Sequence, residues 1–313
     1  MKVRLSTLLL IAVTSLPLLQ SCDSNKNKSG NAQYVNPFIG TGGHGHTFPG
    51  ATRPFGMVQL SPDTRIEGWD GCSGYHYTDS VVYGFSHTHL SGTGVGDYCD
   101  ILLKPCNGDV HYDNGYKTSP DSGYASYFNK QTEVAEAGYY SMELAEGIKV
   151  ELTSTERAGF HRYIFKDAKK AHVILDLEHR DKLLDYSTDP IDGTTIRGMR
   201  RSQSWAENQV VFFEIQFSKP IDSIVALIQG KSIFEPDSFH EPKTMAFYFN
   251  LKDGDELLVK VGISAVDVEG ASANLKSEIP HWDFDLIRQE SKHAWDNELA
   301  KIQVEGDETD KVI

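Results

Sequence analysis

Two His-x-His pairs are the first residues with the spacing for chemistry: His44 and His46 in "TGGHGHTFPG", and His87 and His89 in "FSHTHL". Imidazole is the common ligand of zinc and copper, so four such rings brought together can hold a transition metal. Neither pair carries a carboxylate in a zinc-hydrolase spacing such as H-E-x-x-H, and no C-x-x-C pair is present. A polar loop scaffold therefore outweighs a metal site in this reading. The four glycines of residues 41–50 also suggest a phosphate cradle. That reading fails: no Gly-Lys-Ser/Thr ending appears, and the prolines and glycines of "TFPGATRPFG" forbid the helix that such a cradle opens.

A neutral polyhydroxylated ligand fits the composition better. Sugars need aromatic faces for their C–H surfaces and planar polar groups for their hydroxyls. "IEGWDGCSGYHYTD" supplies Trp69, Asp70, Tyr75, His76 and Tyr77 within nine positions, between glycines that permit tight turns. The bland reading of the same residues is an aromatic core under long loops. In "SHTHLSGTGVGDYCD" the glycines at 92, 94 and 96 are a weak signal, and Asp97 and Asp100 are possible calcium ligands without EF-hand spacing.

Several elements must position these loops. The 313 residues suffice for one large all-β domain or two ordinary ones, and 39% hydrophobic content supplies a core. From Tyr139 to Val266 the sequence reads as short strands: "YYSMELA", "IKVELTSTE", "GFHRYIF", "HVILDLEH", "TTIRGMR", "QVVFFEIQFS", "SIVALIQ", "TMAFYFNL" and "ELLVKVGISAV". Asp192-Gly193 and Asp253-Gly254 supply hairpin turns, which predicts a large antiparallel β-sandwich. Residues 34–138 read as a few strands carrying large ordered loops. "VDVEGASANLKSEIP" reads as a connector. Phe284, Ile287, Ala294, Trp295, Leu299 and Ile302 then fall near one face of a helix, with little chain left to cover it. The sequence reaches Ile313 without a helix stop signal and reads as ending mid-architecture.

A net charge of −14 argues against nucleic acid as a partner and against adhesion to an anionic membrane by charge alone. Residues 1–22 read as an export signal: Lys2 and Arg4 precede the apolar run "LLLIAVTSLPLL", and "LLQSC" resembles a lipoprotein box that leaves Cys22 as the lipidated N-terminus. Residues 23–33 read as a flexible tether. The expected product is a membrane-anchored lipoprotein, periplasmic or at the cell surface, held by acyl chains. Of the remaining cysteines at 72, 99 and 106, the local pair Cys99–Cys106 is the expected bridge, though nothing in the sequence fixes it.

Three long strings carry a resemblance. "YVNPFIGTGGHGHTFPGATRPFGMVQLSPDT", "GWDGCSGYHY" and "GFSHTHLSGTG" resemble the N-terminal domain of glycoside hydrolase family 92, the calcium-dependent exo-α-mannosidases. "VGISAVDVEGASANLKSEIP" and "AWDNELAKIQVEG" resemble the same family's domain junction. The resemblance implies a β-sandwich over 34–266 and, over 267–313, a linker and helix leading to a catalytic (α/α) barrel beyond this chain. It implies inversion by a general acid and a separate carboxylate base, with the acid, the base and most calcium ligands in the barrel. It implies α-mannosides and mannose-containing glycans as partners. By resemblance Trp69 stacks on the sugar, Asp70 bonds its hydroxyls, and Gly43, His46, Phe48 and His87 line the pocket. No catalytic residue and no metal ligand is assigned within the chain, which is expected to bind but not hydrolyse alone. The alternatives are a non-catalytic glycan-binding lipoprotein and a metal-dependent enzyme built on the two His-x-His pairs.

Overall fold

A computed structural model describes residues 30–228, 231–234 and 243–307. The expected signal, the Cys22 lipidation site and the tether up to residue 29 lie outside the described residues. The strands before residue 138 are short: β1 (Ala51–Thr52), β2 (Gln59–Asp63), β3 (Val81–Val82), β4 (Gly84–Ser86), β5 (Leu102–Cys106), β6 (Ser126–Tyr127) and β7 (Val134–Glu136). Longer ones follow: β8 (Tyr139–Glu143), β9 (Ile148–Ser154), β10 (Ala158–Phe165), β11 (His172–Asp176), β12 (Lys182–Pro190) and β13 (Thr195–Gln203). Then come β14 (Gln209–Phe217), β15 (Ser223–Ile228), β16 (Lys231–Phe234), β17 (Thr244–Tyr248), β18 (Glu256–Ser264), α1 (Val268–Glu278) and α2 (Phe284–Leu299). No helix among the described residues is long and apolar enough to cross a membrane.

The protein is mainly β. One eight-stranded antiparallel sheet runs β1-β2-β4-β5-β11-β17-β15-β16, and the other runs β12-β13-β14-β18-β10-β9-β8-β7. Their inner faces share one core, in which Leu60, Phe85, Leu103, Val173 and Phe247 of the first sheet join Leu152, Tyr163, Phe213 and Val261 of the second. The two-residue period of a strand explains the partition. On β10, His161, Tyr163 and Phe165 point inward, while Ala158 and Phe160 point outward beneath the helices.

That outward face corrects the expected fate of the C-terminal helix. Phe284 and Ile287 of α2 are 2% and 1% exposed, packed with Tyr139, Phe160 and Leu258. Burying these two side chains contributes about 3–6 kcal/mol. Trp295 donates from Nε1 to the Thr52 carbonyl at 2.7 Å, and Arg162 grips Asp285 at 3.1 and 3.2 Å. The sheet has a second apolar face that covers the first turns of the helix, while Ala294, Trp295 and Leu299 are half-buried and Ile302 lies beyond it at 75% exposure.

The expected connector is also helical. Asp267 caps α1 by accepting from the Gly270 amide at 2.6 Å, and Leu275 seats on β18 opposite Gly262. A Cβ at Gly262 would fall 2.5 Å from the Ala271 carbonyl oxygen, so glycine sets how closely α1 approaches the sheet. The last three residues of the expected tether form, with Tyr34, a 3-10 turn (Asn31–Tyr34) docked on α2, where the Ala32 amide donates to Asp296 at 2.7 Å.

Cys72, Cys99 and Cys106 are buried and free. The expected Cys99–Cys106 bridge does not form. β5 runs extended between the two thiols at about 3.3 Å per residue, which carries them beyond disulfide reach.

Candidate functional site

Loops between short strands converge at one end of the first sheet. They enclose an open cleft of about 850 Å³ whose wall includes Trp69, Tyr112, Asp176, His179, Arg180 and Asp181. This volume suits a small-molecule ligand. Trp69 begins a short 3-10 turn after Gly68, whose φ of +85° lets the chain reverse before the indole. The indole is 61% exposed, and its ring faces Gly94 so directly that a Cβ there would lie 2.1 Å away.

The opening Gly/His loop sits behind Trp69. His46, in left-handed backbone at φ +56°, meets the indole edge-on with ring centroids 4.9 Å apart. His44 Nδ1 lies 2.6 Å from Asp70 Oδ1, and His46 Nε2 lies 3.7 Å from the same oxygen. The hydrogen bond to His44 holds the Asp70 carboxyl below the usual range. His76 reaches the Gly43 carbonyl from Nε2 at 3.1 Å and so ties the glycine loop down. Phe48 is half-buried, its ring 5.1 Å from that of His89. The structure thus brings Trp69, Asp70 and His46 together, with Gly43 and Phe48 on the same loop, but of these Trp69 alone lines the cleft, the loop lying behind it.

His87 stands elsewhere. It is wholly buried between the sheets, where its Nδ1 donates to the Ile101 carbonyl at 2.7 Å. Its Nε2 must then accept, and His161 Nε2 donates to it at 3.0 Å; the Tyr163 hydroxyl completes the chain by donating to His161 Nδ1 at 2.8 Å. Burial lowers both histidines, His87 to about 4. Every nitrogen is committed, and none faces the cleft. The two His-x-His pairs therefore do not converge on one ion: β4 ends at Ser86, and beyond it His87 turns to the core while His89 turns to Asp63. Tyr75 is likewise core, with its hydroxyl donating to Glu133 at 2.9 Å.

Sequence reasoning missed the cleft floor. Asp63, His89 and Cys99 place one ligand atom each within 4.8 Å of one another, all buried. Burial opposes ionisation of Asp63, yet His89 and His179 hold its carboxyl far below the usual range. Burial likewise opposes charge on His89, yet Cys99 and Asp63 push it up to about 10. Beside them Asp181 stands in left-handed backbone at φ +65°, with the Asp97 carboxyl nearby. Burial and that second carboxyl push Asp181 up to about 7. Asp97 is pinned by the amides of Tyr98 and Ala206 at 2.9 and 2.8 Å. Asp100 is paired with Arg200, whose guanidinium also bonds the carbonyls of Leu177 and Arg180. "EHRD" at 178–181, a charged run following the apolar strand "HVILDL", is the one sequence signal of this floor.

What the cleft offers is an aromatic lip, a polar wall and a rigid charged floor, an arrangement suited to binding a polar ring.

Residues 34–264 match the Glycosyl hydrolase family 92 N-terminal domain, and residues 270–313 match the Glycosyl hydrolase family 92 catalytic domain. An "Uncharacterized secreted glycosidase" of Arthroderma benhamiae is 26% identical over 302 residues, covering 88% of this chain and 38% of that protein. A solved family GH92 α-mannosidase from Bacteroides thetaiotaomicron is 34% identical, with a TM-score of 0.84 over 90% of this chain and 40% of its own. A structure of that enzyme in complex with mannoimidazole superposes with the same TM-score of 0.84. A family GH92 inverting mannosidase from the same organism, at 24% identity and a TM-score of 0.76, covers 89% of this chain and 37% of its own and shares the fold. The chain spans between 37% and 40% of the length of these relatives.

Proposed function

The chain belongs to glycosyl hydrolase family 92, and from that premise we propose that its sandwich supplies the sugar-stacking wall of an inverting α-mannosidase site. The observation that carries the reading is Trp69. A large apolar ring held 61% exposed at the lip of a polar cleft has little to gain from folding alone, whereas a pyranose face would cover it. The 34% identical relative takes mannoimidazole, which supports a mannose-type ring as the occupant. Asp70, kept anionic by His44, accepts from sugar hydroxyls. His46 holds the indole on edge, Gly43 lets backbone approach the ring, and Phe48 closes the loop behind it.

The chemical step needs an acid and a separate base, and in this reading both come from the barrel that the resemblance implies. The described residues do not fit calcium either. Asp100 is spent on Arg200, Asp97 is held by the amides of Tyr98 and Ala206, and the converging metal-ligand group carries nitrogen and sulfur, which a hard ion disfavours. No step here runs through that ion. Cys22 is proposed as the lipid anchor of an exported protein at the periplasmic face or cell surface, in keeping with a secreted relative.

A second reading, a glycan-binding module working alone, is favoured by the burial of Phe284 and Ile287 of α2 against the sheet. Titration of the chain with methyl α-mannoside, followed by calorimetry, tests both. The first reading expects weak binding, no mannose release, and roughly tenfold weaker binding in Trp69→Ala. Micromolar binding lost in that variant establishes the module, and equal affinity in wild type and Trp69→Ala refutes the sugar wall.

A further inference from the structure

We propose that Asp63, His89 and Cys99 form a zinc site beneath the cleft, with His179 as the fourth ligand. The three donor atoms lie within 4.8 Å of one another. The edges of a tetrahedron with zinc bonds of about 2.0–2.3 Å run roughly 3.3–3.8 Å, so small side-chain shifts close the site. His179 Nε2 stands 3.4 Å from Asp63 Oδ2, an oxygen that is buried and has no hydrogen-bond donor. His179 also borders the cleft, which gives the ion a route in.

The surroundings are those of ligands rather than of an ordinary ion pair. His89 Nδ1 lies 2.6 Å from the Gln59 carbonyl, which fixes the proton there and aims Nε2 at Asp63 and Cys99. The Arg180 guanidinium donates to Cys99 Sγ at 3.4 Å from outside the cluster. Gly74, at φ +79°, faces all three residues: a Cβ there would fall 2.4 Å from Asp63 Oδ1 and 3.0 Å from both Cys99 Sγ and the His89 ring. Backbone strain marks the loop that delivers the thiol, since Tyr98, Cys99 and Ile101 take φ of +73°, +59° and +54° without being glycine.

The chemistry balances. Zinc displaces the thiol proton of Cys99 and the Nε2 proton that His89 shares with Asp63. Two anionic and two neutral ligands then leave a neutral complex, as suits a site 0–2% exposed. The mixed sulfur, nitrogen and oxygen set selects zinc over calcium or magnesium. Its effect is to clamp the end of β2 to the loops after β4, before β5 and after β11, which together carry the cleft.

The test loads the chelator-stripped chain with Zn2+ or with Co2+ as a coloured substitute, under a non-thiol reductant. Expected are one metal per chain, a thiolate-to-cobalt charge-transfer band, a higher Tm with Zn2+, and slower alkylation of Cys99 read by peptide mass mapping. Cys99→Ser removes the band while Cys72→Ser and Cys106→Ser keep it. A folded wild-type chain with no band and no protection of Cys99 overturns the site, as does a band that survives Cys99→Ser. Should Cys99→Ser fail to fold, the alkylation protection decides on the wild type alone. The metal readout is separate from sugar titration, so the two readings fail independently.

Discussion

Acidification puts a number on the buried histidines. His87, His161 and His172 are each at most 1% exposed. Burial lowers His87 and His172 to about 4 and His161 well below its ordinary value. The neighbours of His161 are the neutral His87 ring and the Tyr163 hydroxyl; His172 bonds the Lys170 carbonyl and stacks on Tyr248. None of these contacts offers a counter-charge. An unfolded histidine titrates near 6.5, so on falling from pH 6.5 to 4.5 the unfolded chain binds protons that the folded one refuses, and stability drops. At 1.36 kcal/mol per pH unit and a half-filled start, each histidine costs about 2 kcal/mol over that window. Asp181 acts with the opposite sign. Held up to about 7, it takes its proton in the folded state first and returns at most about 2 kcal/mol, less the solvent screening of its half-open position. Carboxyls held low, such as Glu151 at about 2, begin to add to the loss at the acid end of this window and weigh mostly below it. The net loss is about 4 kcal/mol, a large share of a typical 5–15 kcal/mol. Urea unfolding at stepped pH, read by tryptophan fluorescence, measures it. His161→Phe leaves His87 Nε2 and the Tyr163 hydroxyl without partners, so it starts roughly 2–5 kcal/mol lower at pH 7. From there it falls about 2 kcal/mol less on acidification. A wild-type midpoint that holds steady or rises between pH 6.5 and 4.5 refutes the reasoning.

Two substitutions separate the floor of the cleft from its lip. Arg200→Met strands the Asp100 carboxylate and two carbonyls in a buried place, with an expected loss of about 3–5 kcal/mol in urea unfolding; a loss under about 1 kcal/mol contradicts the anchoring role. Gly94→Ala places a methyl where the Trp69 ring lies, so mannoside affinity falls as in Trp69→Ala while the unfolding free energy changes by less than about 1 kcal/mol. Unchanged affinity in that variant removes Gly94 from the wall.

The sandwich was legible wherever strands alternate and turns carry glycine. Gly147, at φ +84°, closes the β8–β9 hairpin that "EG" announces, and Asp192-Gly193 closes β12–β13. Asp253-Gly254 instead joins β17 of one sheet to β18 of the other, so the hairpin expected there does not form. β12 was not legible, because "KLLDYSTDP" is polar and contains Pro190, and it is a strand only because β13 pairs with it from Ile196 to Gln203. α1 was not legible either: its only buried side chains are Ala271 and Leu275, too few for a periodic stripe, and packing against β18 makes the helix. At the site, the cluster of Trp69, Asp70 and His46 could be read because the segments are short and rich in turns. His87 and His46 have equal claims by spacing and opposite fates. Strand end and sheet pairing decide which ring meets the core, and neither is visible in a local motif.

The cleft floor poses an energetic question that the lip does not. Arg200 with Asp100 and His89 with Asp63 bury charge at 0–1% exposure, and buried pairs of this kind are often no more stabilising than apolar side chains of the same volume. Stability alone therefore gives little reason for them. Position gives one: the Arg200 fork reaches from β13 to Asp100, Leu177 and Arg180 at once, joining a strand of one sheet to two loops of the other. Apolar packing fills space without specifying direction, whereas three hydrogen bonds from one planar group fix where each loop stands. The exposed indole at the rim can meet a ligand in a set orientation only if the loops beneath it do not shift. The charged floor and the aromatic lip are thus two halves of one requirement, and loss of either should weaken binding, through stability in the first case and through contact in the second.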